Sequence, residues 1–179
     1  TLGSALNNLT CISLASGDHP LALEYGLASV KLRRTQALQS RDRYLPYVAR
    51  ALANAAPAAE ACADSDLADR LVIEARSLHG LTGQRAPIFR FEQAESAALH
   101  SIMMLHRGDW DGALQIAKDA TELLRSIETD LGELTSRLGT TLAEVRHLAS
   151  EHTSINIRDV ATRRSADLKL PQLLEYRDL

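Results

Sequence analysis

Apolar positions recur every three or four residues along most of this chain, a spacing that places them on one face of a helix. Leu6, Leu9, Ile12 and Leu14, with Cys11 among them, predict a first helix over residues 4 to 15. Gly17 suits the left-handed conformation that closes a helix, and Asp18 can cap the next one. Pro20 is tolerated in the first turn that follows, where its missing N–H has no helical partner. Leu21, Leu23, Leu27, Val30 and Leu38 carry the second helix to about residue 38, and Arg41-Asp42-Arg43 reads as a polar break. Tyr44, Tyr47, Val48, Ala51, Leu52 and Ala55 form a third face, with Pro46 near its start and Pro57 expected to end or kink it. Ser65 or Asp66 is the expected cap of a fourth helix through Leu67, Leu71, Val72, Ala75 and Leu78.

His79-Gly80 and Gly83 close that helix, and residues 80 to 87 read as a loop. A fifth helix is expected over 88 to 107, with Phe91, Ala94, Ala98, Ile102 and Leu105 on one stripe. After Gly108-Asp109 a sixth runs to about Ile127. Asp130 and Glu133 resemble a capping pair for a seventh, whose stripe is Leu131, Leu134, Leu138, Leu142, Val145 and Leu148. Residues 155 to 168 are read as an eighth helix, and Pro171 as the start of a short turn through Gln172 to Tyr176. The pattern predicts an all-α fold: an irregular array of about seven or eight antiparallel helices in stacked hairpins. We read it as one domain over 1–179, with 153–179 as a C-terminal extension.

Composition agrees. The 179 residues are 45% hydrophobic, 24% charged and only 4% aromatic, a globular profile rich in the strong helix formers Ala and Leu. A formal net charge of −3 gives no long-range field that favours nucleic acid. No apolar run is long enough to span a membrane, and no signal-peptide pattern opens the sequence, so a cytoplasmic setting without membrane contact is expected. Cys11 and Cys62 are read as reduced thiols, and the Asn8-Leu9-Thr10 sequon as a chance match.

Candidate chemistry is sparse. No nucleophile elbow, phosphate loop, dinucleotide fingerprint or Cys-x-x-Cys pair occurs, so no enzymatic activity and no cofactor are expected. Glu144-x-x-His147 matches one element of a helical di-iron site, but the second such element is missing, and no metal is assigned. Asp64, Asp66 and Asp69 fit a helix start, where carboxylates cap N–H groups and meet the helix dipole favourably. Lys31, Arg33, Arg34, Arg41 and Arg43 read as a solvated helix end; Arg158, Arg163 and Arg164 are offset by Asp159 and Asp167.

The run Gly-Asp-Trp-Asp-x-Ala-Leu-x-x-Ala-x-x-Ala from Gly108 to Ala120 resembles the turn and second helix of a tetratricopeptide repeat. Asn8-Leu9, Gly17-Asp18 and Ala22 look like a second, degenerate copy. Yet Gly17 and Gly108 lie 91 residues apart, which is no multiple of the roughly 34-residue period of that family. The middle stretch, 41 to 80, lacks the Gly-Asp turn. Composition and helix rhythm are also similar to the repeat-containing sensory halves of bacterial helix-turn-helix transcription regulators. The resemblance implies a non-catalytic module that binds a peptide, protein or small-molecule effector on a concave surface lined by first helices. On this sequence the matching positions are Asn7, Cys11, Glu95, Ile102 and His106. It implies no direct nucleic-acid binding by this segment, and it admits a role as the effector domain of a regulator. The alternative is a helical oligomerisation protein, a homodimer pairing through the Leu131–Leu148 stripe.

Overall fold

Seven α-helices and no strand make up the described residues of the computed structural model, 1–82 and 86–155, with backbone alone for 128–130 and 152–155. They are α1 (Leu2–Ala15), α2 (His19–Gln39), α3 (Arg41–Ala61), α4 (Ser65–Thr82), α5 (Pro87–His106), α6 (Trp110–Arg125) and α7 (Glu128–Ile155). The fold is all-α, as the periodicity requires. No helix among these residues is long and apolar enough to cross a membrane.

One turn recurs three times. After α1, the Gly17 N–H donates to the Leu14 carbonyl (3.1 Å) and the Asp18 N–H to the Ser13 carbonyl (2.9 Å). Asp18 then caps α2 by accepting from the Leu21 N–H at 3.2 Å. After α5, Gly108 bonds to Leu105 (3.1 Å) and Asp109 to Met104 (3.0 Å), and Asp109 accepts from the Gly112 N–H at 3.1 Å. The third copy, after α3, has no glycine. Ala63 bonds to Glu60 (2.9 Å), Asp64 to Ala59 (3.0 Å), and Asp64 accepts from the Leu67 N–H at 3.0 Å. Each copy is a Schellman closure fused to an aspartate cap. One residue sits in the left-handed region, with φ of 83° at Gly17, 61° at Ala63 and 80° at Gly108.

The aspartates set a register. Asp18, Asp64 and Asp109 are 46 and 45 residues apart, so hairpins α1–α2, α3–α4 and α5–α6 are three copies of one local plan. Four residues after each aspartate stands a fully buried alanine: Ala22, Ala68 and Ala113. Eight and eleven residues after it stand Gly26 and Ser29, Val72 and Ala75, Ala117 and Ala120, all buried. The position fifteen residues on holds Arg33, His79 and Leu124, again all buried. Apart from Val72, the first three of these positions hold Gly, Ala or Ser, which lets the second helix of each hairpin sit close against its neighbours.

The chain forms two compact units, Thr1–Phe89 and the stretch from Arg90 onward. In the first, α1 packs on α2, α2 on α3 and α3 on α4, and α1 also touches α3. A methyl on Gly26 would lie 2.9 Å from the Ala55 Cβ and 3.4 Å from the Thr10 Cγ2, so α2 approaches α3 and α1 at nearly backbone distance. α3 is buried without interruption from Ala51 to Ala59. Within that run Asn54 is 1% exposed, and its amide makes no hydrogen bond among the described residues. In the second unit, Phe91, Ala98 and Ile102 of α5 meet Ala117, Ala120 and Leu124 of α6 and Leu138, Leu142 and Val145 of α7. Trp110 packs beside Leu105, Ala113, Leu148 and Ala149.

Several boundaries differ from expectation. Arg41-Asp42-Arg43 is the first turn of α3, and the break is the single extended residue Ser40. Pro57 does not end α3, which continues to Ala61. Asp64, not Ser65 or Asp66, caps α4, because only Asp64 stands at the closure of the preceding helix. α4 runs through Gly80 to Thr82 and Pro87 opens α5, which shortens the expected 80 to 87 loop; residues 83–85 lie outside the described set. α7 is broken at Gly132 (φ 28°, ψ −97°), two residues beyond the expected Asp130 cap, whose side chain is not among those described. The expected eighth helix, apart from its first residue, and the turn after Pro171 also lie outside them.

The Ala63 turn yields a test. A non-glycine residue held left-handed costs about 1–2 kcal/mol, while glycine adds unfolded-chain entropy of somewhat less. Ala63→Gly is therefore expected to raise stability by up to about 1 kcal/mol, and Asp64→Ala to lower it by about 1 kcal/mol. Urea midpoints measure both, and a loss of stability in Ala63→Gly would contradict the turn geometry.

Candidate functional site

Unit one gathers charge where its helix ends meet. α1 and α3 run parallel, both antiparallel to α2, so the N-terminal turns of α1 and α3 lie beside the C-terminal turns of α2. The N-terminal end of a helix carries partial positive charge. Arg33, on α2, points into this junction and is only 8% exposed. Gly3 makes room for it, since a methyl there would fall 2.5 Å from the guanidinium carbon. The guanidinium donates to the Gln36 Oε1 at 3.0 Å and to the Ser4 Oγ at 3.4 Å. It also lies 5.0 Å from the centre of the Tyr47 ring. The Ser29 hydroxyl, donating to the Gly3 carbonyl at 3.5 Å, ties α1 to α2 just beside it.

The cluster extends outward from there. Arg50 lies 5.9 Å from the same Tyr47 ring, and Arg43 lies 5.5 Å from the Tyr44 ring. The two tyrosines stand 6.3 Å apart at a tilt of 51°. Tyr47 is 42% exposed, so the ring that covers buried Arg33 is open to solvent on its outer side. A guanidinium over a ring is stabilised by about 0.5–1 kcal/mol at exposed sites and by more when desolvated. Arg33 forms no ion pair with any described carboxylate; its partners are two neutral side chains and a ring. Guanidinium groups held this way suit a planar or tetrahedral oxyanion, which they can meet with paired N–H donors.

The basic run that reads as a solvated helix end is thus divided by the fold. Arg34 turns away and meets Glu74 at 2.6 Å across to α4, an exposed pair of the kind that contributes about 0–1 kcal/mol. Lys31 and Arg41 are exposed. Arg33 alone goes inward, at the register position where Leu124 occupies the core of the second unit.

The five positions taken from the repeat resemblance fall in separate places. Asn7 and Cys11 are half-buried on α1, one turn apart, and the Asn7 Oδ1 has no hydrogen bond among the described residues. On α5, Glu95 is buried, His106 is exposed, and Ile102 is a core residue at 2% exposure. Ile102 packs with Ala117, Ala120 and Leu142, which removes it from any surface. The same helix also buries Glu92, Ser96 and His100, spaced four apart, a polar row that the apolar stripe alone did not signal. Glu144 and His147 are both exposed, and His147 meets Glu151 at 3.1 Å. No group of three or more His, Cys, Asp or Glu is placed to hold a metal ion among the described residues. Cys11 and Cys62 are not joined in a disulfide.

The chain matches no family model, no curated protein and no solved structure.

A buried cation that served packing alone would be replaceable. Arg33→Met keeps most of the stem volume and removes an uncompensated charge, a change that is often neutral or favourable in proteins. We expect thermal or urea unfolding of Arg33→Met to show stability held or raised by about 1 kcal/mol. A fall of more than about 2 kcal/mol would instead make the guanidinium a structural element.

Proposed function

We propose that the chain is a non-catalytic recognition module that takes an acidic group of a peptide or small-molecule effector at the arginine–tyrosine end of its first unit. The observation that carries this reading is Arg33, a buried guanidinium with no carboxylate partner beneath a half-open tyrosine. A folded chain bears the desolvation cost of such a group more readily when binding an anion recovers it. Arg43 and Arg50 widen the positive surface, and the adjoining N-terminal turns of α1 and α3 act in the same sense. The resemblance of Gly108 to Ala120 to a tetratricopeptide repeat supports a binding role over a catalytic one. A place as the sensory or effector part of a regulator fits the same chemistry, with the acidic effector shifting how α1, α2 and α3 pack.

The alternative through the Leu131–Leu148 stripe finds less support. Leu138, Leu142 and Val145 are buried against α5 and α6, and Leu148 beside Trp110, so the unit's own core uses that stripe.

Calorimetric titration with a glutamate-rich peptide and with inorganic phosphate at low salt tests the proposal. Binding is expected to weaken as salt rises. It should fall at least about tenfold in Arg33→Met combined with Tyr47→Ala, and stay within about twofold in Arg34→Met, whose charge serves Glu74. Absence of binding by both anions, or indifference to Arg33→Met with Tyr47→Ala, would remove the basis for the reading.

A further inference from the structure

Arg33 reaches the first turn of α1 by one hydrogen bond. Its Nη2 donates to the Ser4 Oγ at 3.4 Å, and Ser4 is itself exposed. A single serine oxygen therefore meets both solvent and a cation that is more than nine-tenths buried. Ser4 is the third residue of α1, in the turn whose unpaired N–H groups favour negative charge. No acidic residue stands in that turn. Its cap is a long bond, from the Ser4 N–H to the Thr1 Oγ1 at 3.4 Å, so the turn opens locally at small cost. Other serines of the same hairpin lack this combination. Ser13 and Ser29 are buried, and Ser16 gives its hydroxyl to the Ser13 carbonyl at 3.0 Å.

We propose that Ser4 is a phosphorylation site whose phosphate takes the Arg33 guanidinium as its counter-ion. A protein kinase supplies the γ-phosphoryl group of a nucleoside triphosphate. The Ser4 Oγ–P bond forms as the bond from that phosphorus to its bridging oxygen breaks. The nucleoside diphosphate leaves, and the hydroxyl proton is lost to solvent. The phosphate adds about −1.5 to −2 charges and three acceptor oxygens within reach of Arg33. A neutral hydroxyl accepts one long bond there, whereas a phosphate accepts paired guanidinium donors. The junction is then closed from within, because the phosphoseryl group holds the cation that an acidic effector needs. That closure rests on the effector reading above; the pairing of phosphate with Arg33 does not.

The full chain prepared with phosphoserine at Ser4 tests both parts. By phosphorus NMR its second ionisation should fall below the usual value of about 6, since a guanidinium favours the dianion. Arg33→Met should restore the usual value. The unfolding midpoint above that titration should rise with the phosphate, and the gain should vanish in Arg33→Met. Affinity for the glutamate-rich peptide should drop at least about tenfold on phosphorylation. Mass spectrometry of the protein from its native cells should find phosphate on Ser4. A phosphate titration indifferent to Arg33→Met overturns the pairing, and an unmodified Ser4 across growth conditions overturns the modification. Equal peptide affinity in both forms overturns the closure. If the unmodified chain binds no anion, the effector reading fails, while an Arg33-dependent phosphate titration still upholds the pairing.

Discussion

The fold depends on how a helix end is satisfied at a tight reversal. A helix leaves its last carbonyls and the next helix's first N–H groups without partners, and a short turn must provide for both. Here one residue in the left-handed region directs two N–H groups back to those carbonyls, and the following aspartate accepts from the new helix. Because the aspartate belongs to both motifs, the turn fixes where α2, α4 and α6 begin and which of their faces turns inward. The fully buried alanine four residues later follows from that phase. Stacking of hairpins is then a matter of side-chain size, and Gly26 against Ala55 shows how close the backbones come.

Much of this was legible in the sequence and some was not, for definable reasons. The helices follow from periodicity, and Gly17-Asp18 and Gly108-Asp109 mark their own turns. The middle turn carries Cys62-Ala63-Asp64, and an alanine gives no signal that its φ is positive. With no glycine there, the 46- and 45-residue spacing leaves no mark in the sequence, and Gly17 and Gly108 alone form an irregular pair. Pro57 misled in the opposite direction. A proline removes one helical hydrogen bond, but burial of α3 on nearly every side outweighs that loss. Ser40 is harder still, because a one-residue break leaves almost no compositional trace.

The site was less legible than the fold. Lys31, Arg33 and Arg34 lie within four residues, and sequence alone gives no reason to separate them. Their directions do: Arg34 reaches Glu74 outside, while Arg33 enters the space that Gly3 leaves open. The glycine that admits Arg33 is thirty residues away in sequence, so only the α1–α2 pairing reveals the connection. Ile102 illustrates the converse. A position borrowed from a binding surface in a regular repeat becomes core once α7 packs against the hairpin.

Two departures from ordinary packing, a charge inside and an apolar stripe outside, meet on the same helix. α1 supplies Gly3 and Ser4 to Arg33 on one side and Leu2, Leu9 and Ile12 to solvent on the other. A carboxylate at Ser4 would neutralise Arg33 from within and close the junction to an outside anion. The absence of charged side chains from α1 leaves Arg33 without a carboxylate from that side, although helix stability alone would favour an acidic first turn. Its only N-terminal provision is the Thr1 hydroxyl, accepting from the Ser4 N–H at 3.4 Å.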